Sequence, residues 1–222
     1  MTPLHETRGP AETSSRAPGN TLRLLALVGF SALACALWFF RASHAGARFS
    51  FLFWNLFLAW VPWFVSMALQ RARWSFWPLA TVWLAFFPNA PYLLTDLVHL
   101  KPRDGAPLMF DVLLFAAFAL AGCALGWDSL FAVHRELHRR WGATRSSLAV
   151  ALCVLLTGAG VFLGRFERLN SWELFTGPLD VLETAFTSLR QPHAMVFSFA
   201  FAGLVGIGYV FTRPGSVGFE TR

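Results

Sequence analysis

The sequence predicts an all-α fold, a polytopic transmembrane helix bundle of about six spans, and three observations lead there. Of the 222 residues, 56% are hydrophobic, 16% aromatic and only 14% charged, against about 25% charged residues in an ordinary soluble domain. The apolar residues fall in runs close to the roughly 20 that a helix needs to cross a hydrocarbon core. The 18 Lys and Arg residues stand almost entirely between those runs. With 24 Phe and 10 Trp there is too little polar surface to cover a globule in water, and the implied partner is a lipid bilayer. The formal charge of +6 is spread along the chain, not gathered in one patch, so nucleic acid is not an expected partner. Cys35, Cys123 and Cys153 lie inside apolar runs without paired spacing. They read as small buried hydrophobes, not as a disulfide framework or a CxxC metal site.

Residues 1–20 are polar, Pro-containing and without period, which predicts a disordered cytoplasmic tail. The transmembrane helical domain is expected over 21–213, and 214–222 form a second short cytoplasmic tail. A signal peptide competes with a first span, because Ala45-Gly46-Ala47 resembles a cleavage site. The run from Leu24 to Phe40 is longer than the ~7–15 residues of a signal core and ends in bulky aromatics, which favours an uncleaved span. Six spans follow, at about 22–41, 49–69, 74–99, 108–133, 146–164 and 193–212. The third is irregular, since Pro88 and Pro91 cannot continue a helical hydrogen-bond ladder. It reads as a helix to about Phe87, a break over Pro88-Asn89-Ala90-Pro91, and a short second helix. The fourth is long enough that its end, from Asp128, leaves the core as a surface helix.

Orientation follows from basic residues in the connections. Eleven lie in the two tails, with Arg23, and in the connections after spans two and four; seven lie in the other three connections. Both termini therefore face the cytoplasm of a cell inner membrane. Gly122 with Gly126, Gly160 with Gly164, and Ala202 with Gly206 are small residues four apart, which let helix backbones approach, within the chain or between copies as an oligomer.

Tyr92, Asp96 and His99 fall at i, i+4 and i+7 on a segment otherwise made of Leu and Val, with Thr95 beside them. On a helix this is one narrow polar stripe. With the orientation above it lies at the outer membrane boundary, as do Asn55, Asp111 and the connection carrying Arg165, Glu167, Arg168 and Asn170. Ionisable groups gathered at one membrane boundary define a candidate site. Asp96, His99 and Asp111 can together hold a divalent metal with a water completing the site. Without metal, His99 oriented by Asp96 can act as a general base, so these three are the candidate catalytic residues. Asn89, Tyr92, Arg165, Arg168 and Asn170 are the candidate substrate-binding residues, the two arginines able to clamp a phosphate or carboxylate. A lipid or cell-envelope intermediate suits that depth. The same residues serve equally as a hydrogen-bonded brace around the proline break.

The run Phe87-Pro88-Asn89-Ala90-Pro91-Tyr92-x-x-Thr95-Asp96-x-x-His99-Leu100 resembles the signature of a bacterial integral-membrane family, domain of unknown function 1361. So do Trp54-Asn55-Leu56 with Trp60 and Pro62, and Gly164-Arg165-Phe166-x-Arg168-x-Asn170-Ser171-Trp172. The resemblance covers roughly Phe51 to Phe211. It implies a multi-pass bacterial membrane protein, and supplies no activity, cofactor or catalytic residue.

Two further segments have more ordinary explanations. His134-Arg135-Glu136-Leu137-His138 is not HExxH, because the glutamate stands two residues after the first histidine. With Arg139 and Arg140 it reads as a basic amphipathic helix on the cytoplasmic lipid surface. Gly177-Pro178, followed by Leu179, Leu182, Phe186 and Leu189, predicts an interfacial helix starting at Pro178. Three function classes fit: a membrane-embedded enzyme or ligand-binding protein, a structural or assembly factor, and a transporter. The uncharged middles of all six spans speak against proton-coupled transport.

Overall fold

A computed structural model describes residues 18–72, 75–102 and 106–212. Most of both expected tails, together with Arg73 and Arg103, lies outside the described residues. Among the described residues every regular element is helical. They are α1 (Pro18–Ala45), α2 (Phe51–Leu69), α3 (Phe76–Phe86), the short α4 (Asn89–Tyr92) and a 3-10 helix (Leu93–His99). Then come α5 (Leu108–Phe162), a π-helical turn (Leu163–Glu167), the short α6 (Glu173–Thr176), α7 (Pro178–Ser188) and α8 (Pro192–Thr212). Among the described residues, four stretches are long and apolar enough to cross a membrane: Thr21–Ala45, Phe51–Leu69, Leu108–Glu167 and Pro192–Thr212. The α7 helix starts at Pro178, the position the Gly-Pro pair predicts. Pro at the first helical position loses no hydrogen bond that the helix needs.

A straight helix of 55 residues would run about 80 Å, far beyond a bilayer. Gly142 breaks it, with φ 77° and ψ −179°, a conformation glycine adopts without the clash a Cβ would cause. The arms before and after Gly142 fold back on each other. Both therefore reach the same partner, the segment around the proline break.

That contact accounts for the spaced glycines. An added Cβ at Gly122 would lie 2.4 Å from the Ala90 carbonyl oxygen, and one at Gly126 would lie 3.1 Å from the Ala90 Cβ. On the second arm, a Cβ at Gly160 would meet the Pro88 Cγ at 2.8 Å and one at Gly164 the Tyr92 ring at 3.5 Å. All four glycines seat residues 87–93, so both motifs are used inside the chain. Ala202 and Gly206 likewise face the second arm, at Gly158 and Val154 respectively. Gly122→Ala is expected to lift α4 off α5 and cost about 1–3 kcal/mol by overpacking. The check is a lowered thermal midpoint of the detergent-purified protein, with Gly203→Ala, which meets open space, unchanged.

The break itself departs from a plain kink. Pro88 and Pro91 donate no backbone N–H. The chain makes one helical turn, in which the Tyr92 N–H donates to the Pro88 carbonyl at 3.1 Å. It then tightens into the 3-10 helix. With three residues per turn, Leu93, Asp96 and His99 share one face. Leu93 and Asp96 are buried there.

The end of the first α5 arm corrects an expectation. Residues 128–141 do not lie as a surface helix on lipid: His134, Glu136 and Leu137 are buried. Glu136 accepts from Arg139 and, at 2.7 Å, from Arg140. Arg140 also donates to the Ala72 carbonyl at 2.9 Å and covers the Phe76 ring. His134 pairs with the Tyr209 hydroxyl at 2.8 Å. A buried carboxylate with two guanidinium partners is satisfied internally, and the arm packs against the α2–α3 turn and α8 instead of lipid.

Candidate functional site

At the end of the bundle opposite Gly142, polar side chains from four elements converge. The 3-10 helix supplies Asp96, whose side chain is 1% exposed. From α2, Asn55 Nδ2 donates to Asp96 Oδ2 at 2.8 Å. From the π turn, Arg165 donates to Asp96 Oδ1 at 3.2 Å and to the Tyr92 hydroxyl at 3.4 Å. The second terminal nitrogen of Arg165 stands 3.3 Å from His99 Nδ1. The extra residue that a π turn takes up redirects a side chain; here it aims Arg165 across the bundle onto the broken helix. The guanidinium carbon also lies 5.8 Å from the Tyr92 ring centre, within cation–π range.

His99 stands between two incompatible neighbours. Its Nδ1 is 3.1 Å from the Asp96 carbonyl oxygen, an acceptor, and 3.3 Å from an Arg165 donor. One nitrogen cannot serve both. With the proton on Nδ1, His99 donates to the carbonyl and its Nε2 carries the lone pair. With the proton on Nε2, Nδ1 accepts from Arg165. Withdrawing Arg165 therefore selects the tautomer whose Nε2 is basic. The Phe51 ring packs against the imidazole at 5.0 Å between centres.

Asp111 does not join this cluster. It accepts from Arg41 Nε at 2.6 Å and from a terminal nitrogen of Arg41 at 3.3 Å. The two side chains are only 1% and 3% exposed. Arg41 also donates to the Gly46 carbonyl at 3.0 Å and lies over the Phe49 ring. A series of ring contacts runs from Phe49, under Arg41, through Phe115 and Phe51 to His99. Among the described residues no three His, Cys, Asp or Glu side chains gather at metal-binding spacing. The triad of Asp96, His99 and Asp111 is thus not assembled, because the nearest cation claims Asp111. Arg41 is the functional-end residue that sequence reasoning missed. Its signal was an arginine at the end of an apolar run, which needs a carboxylate partner wherever it does not snorkel out to the interface.

The other predicted residues do not all meet at this cluster. Asn89 donates to the Phe86 carbonyl at 2.9 Å and to Ser171 Oγ at 2.8 Å, stapling the loop after the π turn to the break. Asn170 donates to Glu173 from its backbone N–H and from Nδ2, both at 3.0 Å. These bonds close the turn into α6 and hold the Glu173 carboxyl below the ordinary glutamate range, the side-chain bond first. Arg168 has a left-handed backbone, φ 61°, and an exposed side chain. Among the described residues it has no ion-pair partner within 4.0 Å. Beside the cluster, Trp54 next to Asn55, Phe166 next to Arg165, and Trp172, whose ring lies 6.5 Å from that of Trp54, are exposed.

A bundle of long apolar helices that encloses an ion-paired polar cluster at one end defines a helical membrane protein. Residues 54–207 match the family described as a protein of unknown function, DUF1361, and the chain belongs to it. No curated protein and no solved structure matches the chain.

Proposed function

We propose that the chain is a six-span inner-membrane protein, both termini cytoplasmic, that binds an anionic amphiphile of the outer leaflet at the Asp96–His99–Arg165 cluster. The α3–α4 segment with its 3-10 helix and the two arms of α5 supply the crossings beyond the three single-helix spans. The excess of basic residues in the tails and in the connections after spans two and four supports the orientation. The observation that carries the binding proposal is Arg165, turned inward by the π turn onto Tyr92, Asp96 and His99, with the uncommitted Arg168 three residues on. Two guanidinium groups recognise a phosphate or carboxylate. The exposed aromatic rim suits a ligand whose tail stays in lipid. A lipid-linked envelope intermediate has this chemistry, and His99 freed from Arg165 would be the general base if the bound molecule is also transformed.

The Asn55 and Arg165 bonds to Asp96 favour a second role, a brace that locks the broken helix to α2. Titrating soluble glycerol phosphate and pyrophosphate into the detergent-purified protein separates the two. A binding site gives saturable heat that Arg165→Ala abolishes and Arg165→Lys weakens. A brace gives no heat with either probe, while Arg165→Ala lowers the melting temperature.

A further inference from the structure

The opposite end of the bundle carries a groove that the outer cluster does not involve. α1 and α8 lie on either side of the first α5 arm, and between them a cavity of about 340 Å³ opens toward Arg23, Leu27, Phe30, Leu120, Asp128 and Thr212. A second cavity of about 220 Å³ continues past Leu120 and Trp127 to Leu94 and Leu204. From Leu120 to Phe131 the α5 floor advances eleven positions, about 16 Å at 1.5 Å per residue.

The floor is apolar and the mouth is cationic. Arg23 is 44% exposed and lies 3.9 Å from Asp128 Oδ1, beyond hydrogen-bond distance. Asp128 accepts instead from Trp63 Nε1 at 2.9 Å. Among the described residues the Arg23 side chain makes no hydrogen bond; besides this long ion pair it meets the Phe131 ring, 5.5 Å from the guanidinium carbon. Arg135 flanks the same ring at 5.9 Å. Among the described residues around this ring, two arginines face one carboxylate, an excess of positive charge.

An apolar cleft with a cationic mouth matches a lipid, its acyl chain on the lining of Leu27, Phe30 and Leu120 and its phosphate on the half-exposed guanidinium of Arg23.

We propose that this groove binds an anionic phospholipid, its acyl chain along α5 between α1 and α8 and its phosphate on Arg23. The site shares no side chain with the outer cluster; its assignment to the inner leaflet rests on the orientation proposed above. An arginine beside an anionic headgroup favours it over a zwitterionic one by about fivefold.

The test uses the full chain in phosphatidylcholine vesicles doped with spin-labelled phosphatidylglycerol or, separately, spin-labelled phosphatidylcholine. Motionally restricted label reports occupancy. Wild type should hold labelled phosphatidylglycerol about fivefold more strongly, and Arg23→Ala should bring the two labels to parity. Leu120→Trp, at the exposed junction of the two cavities, should lower the restricted fraction of both. Equal retention of both lipids by wild type, or a preference that survives Arg23→Ala, would overturn the proposal. So would a detergent-stable dimer that Leu120→Trp dissociates, since a second copy would then occupy the groove.

Discussion

Asp111→Ala is expected to destabilise the protein by about 3–5 kcal/mol, the cost of leaving one member of a buried ion pair without its partner. Arg41 has nowhere else to send its charge. It is 2% exposed, and its other bond is to a single backbone carbonyl at Gly46. The pair also ties the end of α1 to the start of α5, across a turn in which Phe49 holds a left-handed φ of 65°. Such a conformation in a bulky residue persists only where its surroundings enforce it. Arg41→Met combined with Asp111→Leu should recover most of the loss, because apolar replacements leave no orphaned charge. Thermal unfolding of wild type and the two variants in one detergent checks this. A double variant no better than Asp111→Ala alone would show that the polar bonds themselves hold the turn.

Asp96→Ala should have the second-largest effect, about 2–4 kcal/mol. It removes the acceptor shared by Asn55 and Arg165, but Arg165 is 17% exposed and can recover some hydration, so the penalty falls below that of the Arg41 pair. Asp96→Asn keeps an acceptor for one of the two donors and should lose less than half as much. The same denaturation series measures both. If Asp96→Ala melts with wild type, the cluster is not a brace at all.

The break at Pro88-Asn89-Ala90-Pro91 and the polar groups after it were legible in the sequence, because proline removes a donor wherever it stands. The form of the continuation was not. Seven residues tighten into a 3-10 helix, which places Asp96 and His99 on one face with Leu93, so Tyr92 meets them only through Arg165. Local spacing predicts a stripe; the tertiary seat on Gly122, Gly126, Gly160 and Gly164 decides its pitch. The glycine motifs announced close packing without naming the partner. The pairing of Asp111 was beyond the sequence for a similar reason. His99 and Arg41 are both plausible neighbours for an inward carboxylate at that depth, and Arg41 is 70 positions away. Only the fold chooses between them. The basic run around Arg135 misled because a buried glutamate, Glu136, absorbs two of its charges.

Anion binding should draw Arg165 away from the broken helix. This is tested most directly by the nitrogen spectrum of ¹⁵N-histidine-labelled protein, with His99 assigned by its loss in His99→Ala, during titration with glycerol phosphate. As the anion takes Arg165, His99 Nδ1 should move from acceptor to donor character, and Arg168→Ala should weaken the response without abolishing it. A His99 signal that stays fixed at saturating anion would contradict it, and leave the cluster as a brace around the proline break.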